Sequence, residues 1–349
     1  MSHTNPTAVL HGVADVRLEN RAVPKPGPRE VLVEVRSVGV CGSDVHYYEH
    51  GRIGDFVVDS PLVLGHEASG AVVGVGSDAH RLSLGQRVAL EPGVPCLHCE
   101  QCRSGRYNLC PDVRFFATPP FDGAFAAYVT IHEDFAFAVP DSMTDDAAAL
   151  IEPLSVGVWA NRKAAVVPGD RVLVTGAGPI GLLAMQVARC FGAQDVTITD
   201  VNPYRLDVAL RTGATRALDV RQTPLAEAGV TADVLLECSG APAVIADGIR
   251  ALRPAGRAVL VGMGGDEVPL PLATVQSREL TITGTFRYAN TYPAAIALAA
   301  AGRVDLDALV TGHFSLLDAE EALRASRYDD RTIKAIVTPG LLASTSPSS

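Results

Sequence analysis

The chain has 349 residues, 48% hydrophobic and 19% charged, enough for about two domains with sizeable cores. Its formal net charge of −10 argues against a nucleic-acid partner, which needs basic patches to displace counterions. No apolar run approaches the roughly 18 residues that span a bilayer, so no membrane partner is expected.

The opening, Met1 to Pro6, has neither a basic region nor an apolar core, and no secretory signal is expected there. Val31-Leu32-Val33-Glu34-Val35 alternates as a half-buried strand does, and Ala71–Val75 and Arg87–Leu90 are similar. Short strands among many Gly and Pro turns predict an irregular β-barrel with few helices. After Pro168-Gly169-Asp170 the texture changes. Arg171–Thr175 is a buried parallel-type strand, and a helix is predicted from Pro179 to about Phe191. Val196–Asp200 is the next strand, and Asn202-Pro203 caps and starts another helix. Asp233–Glu237 and Arg257–Val261 continue the alternation, which predicts an α/β unit with a parallel sheet covered on both faces. From about Arg287 the elements are mixed again, so the α/β part interrupts an outer domain. The tail from Ala343 to Ser349 is expected to be disordered.

Seven cysteines are an odd number for a disulfide framework and suit metal binding in a reducing, cytoplasmic setting. Cys41, His66 and Glu67 offer a thiolate, an imidazole and a carboxylate, the ligand types zinc accepts. Three protein ligands leave a fourth position for substrate. Glu152, in Leu150-Ile151-Glu152-Pro153-Leu154, is a carboxylate in apolar surroundings that needs a partner. Cys96-x2-Cys99-x2-Cys102-x7-Cys110 fits a closed tetrahedral zinc shell that pins a lobe over about 93–111. An iron–sulfur cluster and paired disulfides are the alternatives for these four thiols. Cys190 and Cys238 are expected to be inert core thiols.

Gly176-Ala177-Gly178-Pro179-Ile180-Gly181 fits the dinucleotide fingerprint between a predicted strand and a predicted helix, with the acidic Asp200 at the next strand's end. Gly176 makes the tight turn, Gly178 admits the pyrophosphate, and Gly181 lets helix meet strand. The helix N-terminus at Pro179 and Ile180 then faces the phosphates. Asp200 selects NAD, because NADP would bring a phosphate to the carboxylate at about 4 kcal/mol for each close pair of like charges. Arg205 lies near enough in sequence to soften that preference. An open zinc beside a nicotinamide implies hydride transfer between an alcohol and a carbonyl.

These residues carry a resemblance. Cys41-Gly42-Ser43-Asp44-Val45-His46-Tyr47-Tyr48, Leu64-Gly65-His66-Glu67-Ala68 and Gly105-Arg106-Tyr107-Asn108-Leu109 resemble the zinc-dependent medium-chain dehydrogenases. Ala149-Leu150-Ile151-Glu152-Pro153-Leu154 and Phe286-Arg287-Tyr288-Ala289-Asn290-Thr291 narrow it to the sorbitol/xylitol (polyol) dehydrogenase branch. The similarity runs from about Val31 to Val337. It implies a GroES-like β-rich catalytic domain, 1–154 with 287–349, and a Rossmann doubly wound parallel-sheet domain, 155–286, with the active site in the cleft between them.

By the same resemblance, catalytic zinc is held by Cys41 and His66, with Glu67 and Glu152 direct or through water. Asp44 orients His66. Ser43 and His46 match a proton relay, with Glu152 as a competing acceptor. Tyr47, Phe115, Arg287 and Tyr288 are the substrate-side candidates, although core packing suits Tyr47 and Phe115 equally well. The implied activity is NAD-dependent oxidation of a sugar alcohol to a ketose. A simple-alcohol or L-threonine dehydrogenase and a non-catalytic zinc- and NAD-binding sensor are the rivals. A homo-oligomer is expected, a tetramer before a dimer, with Leu280–Phe286 as an edge strand able to pair across a two-fold axis.

Overall fold

The computed structural model describes residues 4–265 and 267–341; the expectation about the Ala343–Ser349 tail lies outside them. The chain divides into two compact units, 1–152 with 309–349 and 153–308.

The first unit is built on a seven-stranded sheet. Its main path runs Ala136–Ala138, Arg87–Leu90, Glu67–Val75, Glu30–Gly39, Lys334–Val337, Val310–Phe314, and Tyr128–His132 also pairs with Glu30–Gly39. All pairs are antiparallel except the last two strands of that path. Val31, Val33 and Val35 recur at period two and enter one apolar core with Val72, Val88, Leu90 and Phe125. Glu30–Gly39 thus collects three neighbours, and its C-terminal end delivers the chain to Cys41. Only short helices cover this unit, as the turn-rich texture predicts. A small sheet of Asp15–Ala22, Thr4–Gly12 and Leu62–Val63 packs beside it.

The second unit is a six-stranded, wholly parallel sheet in the order Arg216–Asp219, Asp195–Asp200, Arg171–Thr175, Ala232–Glu237, Leu252–Leu260, Thr281–Gly284. Strand order reverses between Arg171–Thr175 and Ala232–Glu237, which makes their carboxyl ends the topological switch point of a doubly wound fold. The apolar strands Arg171–Thr175 and Ala232–Glu237 are buried on both faces, as parallel strands are.

The segment 287–308 falls in this second unit, whereas its mixed texture places it with the outer domain in the sequence. Long-range bonds explain the difference. Arg162 donates to the Asn290 carbonyl at 2.8 Å, Gln186 accepts from the Asp305 N–H at 2.8 Å, and the Cys190 thiol lies 3.4 Å from the Arg303 carbonyl. No local pattern announces such contacts.

Candidate active site

Cys41 stands immediately before the helix Gly42–His50, as its N-cap. Asp44, fully buried in the first turn, fixes the approach of two segments at once. Its Oδ2 accepts the Cys41 N–H and its Oδ1 the Gly65 N–H, each at 2.9 Å. The same Oδ1 lies 3.7 Å from His66 Nδ1, an ion-pair distance rather than a formed hydrogen bond. Capping and proximity to His66 are therefore combined in one carboxylate. Tyr48 anchors the helix from its far side, donating to Glu320 at 2.6 Å.

The donor atoms of Cys41, His66 and Glu67 all lie within 4.8 Å of one another. Burial works against an imidazolium at His66, but the Asp44 carboxylate and Cys41 sulfur outweigh it and hold His66 well above the usual histidine range. Thiolate, imidazole and carboxylate converge in a buried, electronegative spot, and this donor set fits one zinc ion. Gly39 sits opposite Glu67 in the strand ladder, and a Cβ there would overlap the Glu67 carboxylate. Glu152, buried at the start of the helix Ile151–Lys163, is not part of the three-residue set, but its charge is felt by Lys334 and Glu91.

Ser43 and His46 are three residues apart on the same helix, and His46 is exposed with its ring 5.7 Å from that of His50. No hydrogen bond joins Ser43 to His46 among the described residues. Phe115 is buried with its ring 5.7 Å from His66, while Tyr47 belongs to the apolar core. In the second unit Arg287 stacks its guanidinium 4.8 Å over Phe286, and the buried Tyr288 ring lies 5.9 Å from Tyr292.

The four-cysteine lobe is equally compact. The sulfurs of Cys96, Cys99, Cys102 and Cys110 lie within 4.8 Å of one another, with separations of 3.9 Å for Cys96–Cys102 and 3.4 Å for Cys99–Cys102. Tetrahedral zinc with bonds near 2.3 Å separates its sulfurs by about 3.8 Å, so the set closes around a single ion. An iron–sulfur cluster needs sulfurs further apart, and all seven cysteines are free of disulfides. Backbone N–H groups of Cys96, Cys99 and Cys102 point at sulfurs of Cys110, Cys96 and Cys99. The two remaining thiols are half-buried, and burial raises both above the usual thiol range.

In the second unit the dinucleotide turn has its expected setting. Gly176 adopts φ +89°, and a Cβ at Gly181 would collide with the Gly176 carbonyl. A Cβ at Gly178 would meet nothing within 4 Å, so that position faces open space. Pro179 starts the helix Pro179–Cys190, followed by Ile180. Asp200 Oδ2 accepts the Ala177 N–H at 2.6 Å, and its Oδ1 accepts the Val201 and Asn202 N–H groups at 2.8 Å. Arg205 has a buried Nε without an acceptor among the described residues. Open space over Gly178 and the buried Arg205 Nε without an acceptor among the described residues fit a dinucleotide.

The comparisons agree with this geometry. Residues 27–141 match the alcohol dehydrogenase GroES-like domain, and residues 179–301 match the zinc-binding dehydrogenase model. The chain is 42% identical over 351 residues to sorbitol dehydrogenase of Bacillus subtilis, covering 97% of this chain and 99% of that one. The chain belongs to the zinc-dependent medium-chain dehydrogenases. Within that family it falls in the sorbitol/xylitol branch. Among solved structures, an Escherichia coli alcohol dehydrogenase complexed with NADH superposes at a TM-score of 0.90, with 28% identity and coverage of 97% of this chain and 100% of that one. A candidate zinc-binding dehydrogenase of Sinorhizobium meliloti bound to NADP gives 0.91, with 29% identity and the same coverage. Solved structures of this fold thus hold either dinucleotide.

Three buried charges of this family member escape a reading of its sequence. Lys334, Glu91 and Glu237 are 2%, 2% and 0% exposed. Each interrupts or ends an apolar run, Lys334 within Ile333-Lys334-Ala335-Ile336-Val337 most plainly. A charge in such a run needs a partner, and that is the signal that could have flagged them.

Proposed function

We infer that the chain is a zinc- and NAD-dependent polyol dehydrogenase, oxidising a secondary hydroxyl of a sugar alcohol to the corresponding ketose. The observation that carries this reading is the Cys41–His66–Glu67 donor set, within 4.8 Å, in a chain 42% identical to a sorbitol dehydrogenase along nearly its whole length.

Zinc, when bound, supplies the Lewis acidity that makes a secondary hydroxyl acidic near neutral pH, and NAD, when bound, is the hydride acceptor. Cys41, His66 and Glu67 would hold the metal, with Glu152 a further carboxylate that would reach it directly or through water, and Asp44 keeps His66 in place. Cys96, Cys99, Cys102 and Cys110 hold the second ion and stabilise their lobe. Gly176, Gly178 and Gly181 admit the pyrophosphate, Pro179 and Ile180 present the helix N-terminus to it, and Asp200 with Arg205 takes the adenosine ribose.

Ser43 and His46 share one helix face at i,i+3 spacing, which supports both as members of a proton relay, with no direct hydrogen bond between them among the described residues. His46 is exposed and can release the proton to water, whereas Glu152 is buried beside other charges. Phe115, beside His66, packs against the substrate's carbon chain. Tyr47, on the same helix as Ser43, packs that helix onto the apolar core.

Seven disulfide-free cysteines, four of them clustered, suit a cytoplasmic enzyme. Thr281–Gly284 is an unpaired edge of its sheet and supports a homo-oligomer, a tetramer in our reading. The mass in solution checks it, and a monomer ends it.

An NAD-linked activity screen over C4–C6 polyols, with ethanol and threonine as competitors and metal content measured on the same sample, tests the function. Polyol rates below the rate on ethanol or threonine would replace this reading.

A further inference from the structure

Carboxylates hold the dinucleotide turn from both sides. Asp200 grips it through the Ala177 N–H at 2.6 Å. On the other side stands Glu237, the last residue of the strand Ala232–Glu237 and fully buried. Its Oε1 accepts the Ser239 N–H at 2.9 Å, the Gly240 N–H at 3.1 Å, the Thr175 hydroxyl at 3.3 Å and the Ser239 hydroxyl. Its Oε2 accepts the Gly240 N–H at 3.2 Å. Every donor is neutral, and no salt bridge reaches this carboxylate among the described residues.

A desolvated carboxylate without a cation is a costly way to fill space, and an apolar side chain would serve stability better. What the carboxylate achieves is geometry. It bends Ser239 and Gly240 back onto the switch point between the two central strands, where doubly wound folds bind dinucleotides. A Cβ on Gly176 would stand 3.0 Å from the Ser239 nitrogen and 3.1 Å from the Cys238 carbonyl carbon. The loop after Glu237 is therefore one wall of the Gly176 turn. A third loop locks against it, because Gly240 has φ +69° and a Cβ there would overlap the Met263 carbonyl.

We propose that Glu237 is a positioning residue for the dinucleotide, setting the width of the groove at Gly176 through Ser239 and Gly240. This rests on the NAD reading given above. The test titrates full-length, zinc-loaded protein with NADH by fluorescence, alongside thermal unfolding and the KM values for NAD and polyol.

Glu237→Gln replaces charge-assisted bonds by neutral ones and turns an amide group toward Gly240, so NADH should bind about tenfold more weakly. The KM for NAD should rise in step, with the KM for polyol unchanged. Ser239→Ala, on an exposed residue, should weaken NADH about threefold and carries the test if Glu237→Gln does not fold. Wild-type NADH affinity in both folded variants, or in Ser239→Ala alone where the other fails, overturns the proposal and leaves Glu237 a purely structural role. Wild-type protein that binds no NADH removes both this proposal and the NAD reading. Wild-type protein that binds NADH but leaves polyols unoxidised removes only the polyol reading, and the Glu237 comparison still decides.

Discussion

Lys334 donates to both carboxylate oxygens of Glu67 at 2.7 Å and to the Val40 carbonyl at 2.9 Å, with the two side chains 3% and 1% exposed. Glu67 is shared between this pair and the Cys41–His66–Glu67 set. Burial works against the ammonium, but Glu67 and then Cys41 outweigh it and hold Lys334 above the usual lysine range. Lys334 therefore remains a cation at any working pH. It comes from the strand Lys334–Val337, so the C-terminal return of the chain into the first unit contributes a charge as well as a sheet partner.

Removing that cation strands the Glu67 carboxylate in a dry site. Lys334→Met should lower the unfolding free energy by about 3–5 kcal/mol, the usual cost of breaking a buried pair from one side. Urea denaturation at neutral pH measures it. A loss below about 1 kcal/mol would mean that Glu67 finds another partner or takes up a proton.

Two metal sites imply separable losses. Cys41→Ser should cut the zinc content from two ions to one per chain and lower polyol turnover by about a thousandfold or more, with NADH binding kept. Cys99→Ser should instead lower the melting temperature through the lobe. Elemental analysis with NADH titration distinguishes the two variants. Full polyol turnover by Cys41→Ser protein would remove Cys41 from the catalytic assignment.

Glu91 makes stability depend on pH. Burial, aided by the Glu152 charge and opposed by the Tyr107 hydroxyl at 2.6 Å, raises its carboxyl from 4.5 to about 7. The folded value lies above the unfolded one, so the protonated form favours folding. That contribution is complete below about pH 4.5 and disappears as pH rises through about 7. It amounts to roughly 3 kcal/mol, at 1.36 kcal/mol per pH unit. Glu91→Gln should lack this dependence, so its stability relative to wild type should improve by that amount between pH 5 and pH 8. Parallel denaturation curves for the two proteins at both pH values would expose the idea as wrong.

The sheet of the second unit was legible because parallel strands buried on both faces appear as continuous apolar runs, as in Arg171–Thr175 and Ala232–Glu237. Cysteine spacing reports a metal shell because ligand geometry is local. Lys334 and Glu67 are 267 positions apart, and no window of sequence contains both. The grouping of 287–308 with the second unit rests on contacts of the same kind, since Gln186 and Asp305 are joined only by the fold. Asp44 was legible as a carboxylate near the site, but its double hold on Cys41 and Gly65 is visible only in three dimensions.

Our reading places the choice of cofactor on Asp200. Its carboxylate already collects the N–H groups of Ala177, Val201 and Asn202, so its position is fixed before any ribose arrives. A 2′-phosphate beside it would meet like charge at a cost of about 4 kcal/mol per close pair. Asp200→Asn keeps the size and removes the charge, so a 2′-phosphate would no longer meet like charge there. The ratio of kcat/KM for NADP to that for NAD should rise by about a hundredfold, part of it from weaker NAD binding as the ribose loses its acceptor. Initial rates with both cofactors on one polyol give the ratio. An unchanged ratio would move cofactor selection elsewhere in the turn.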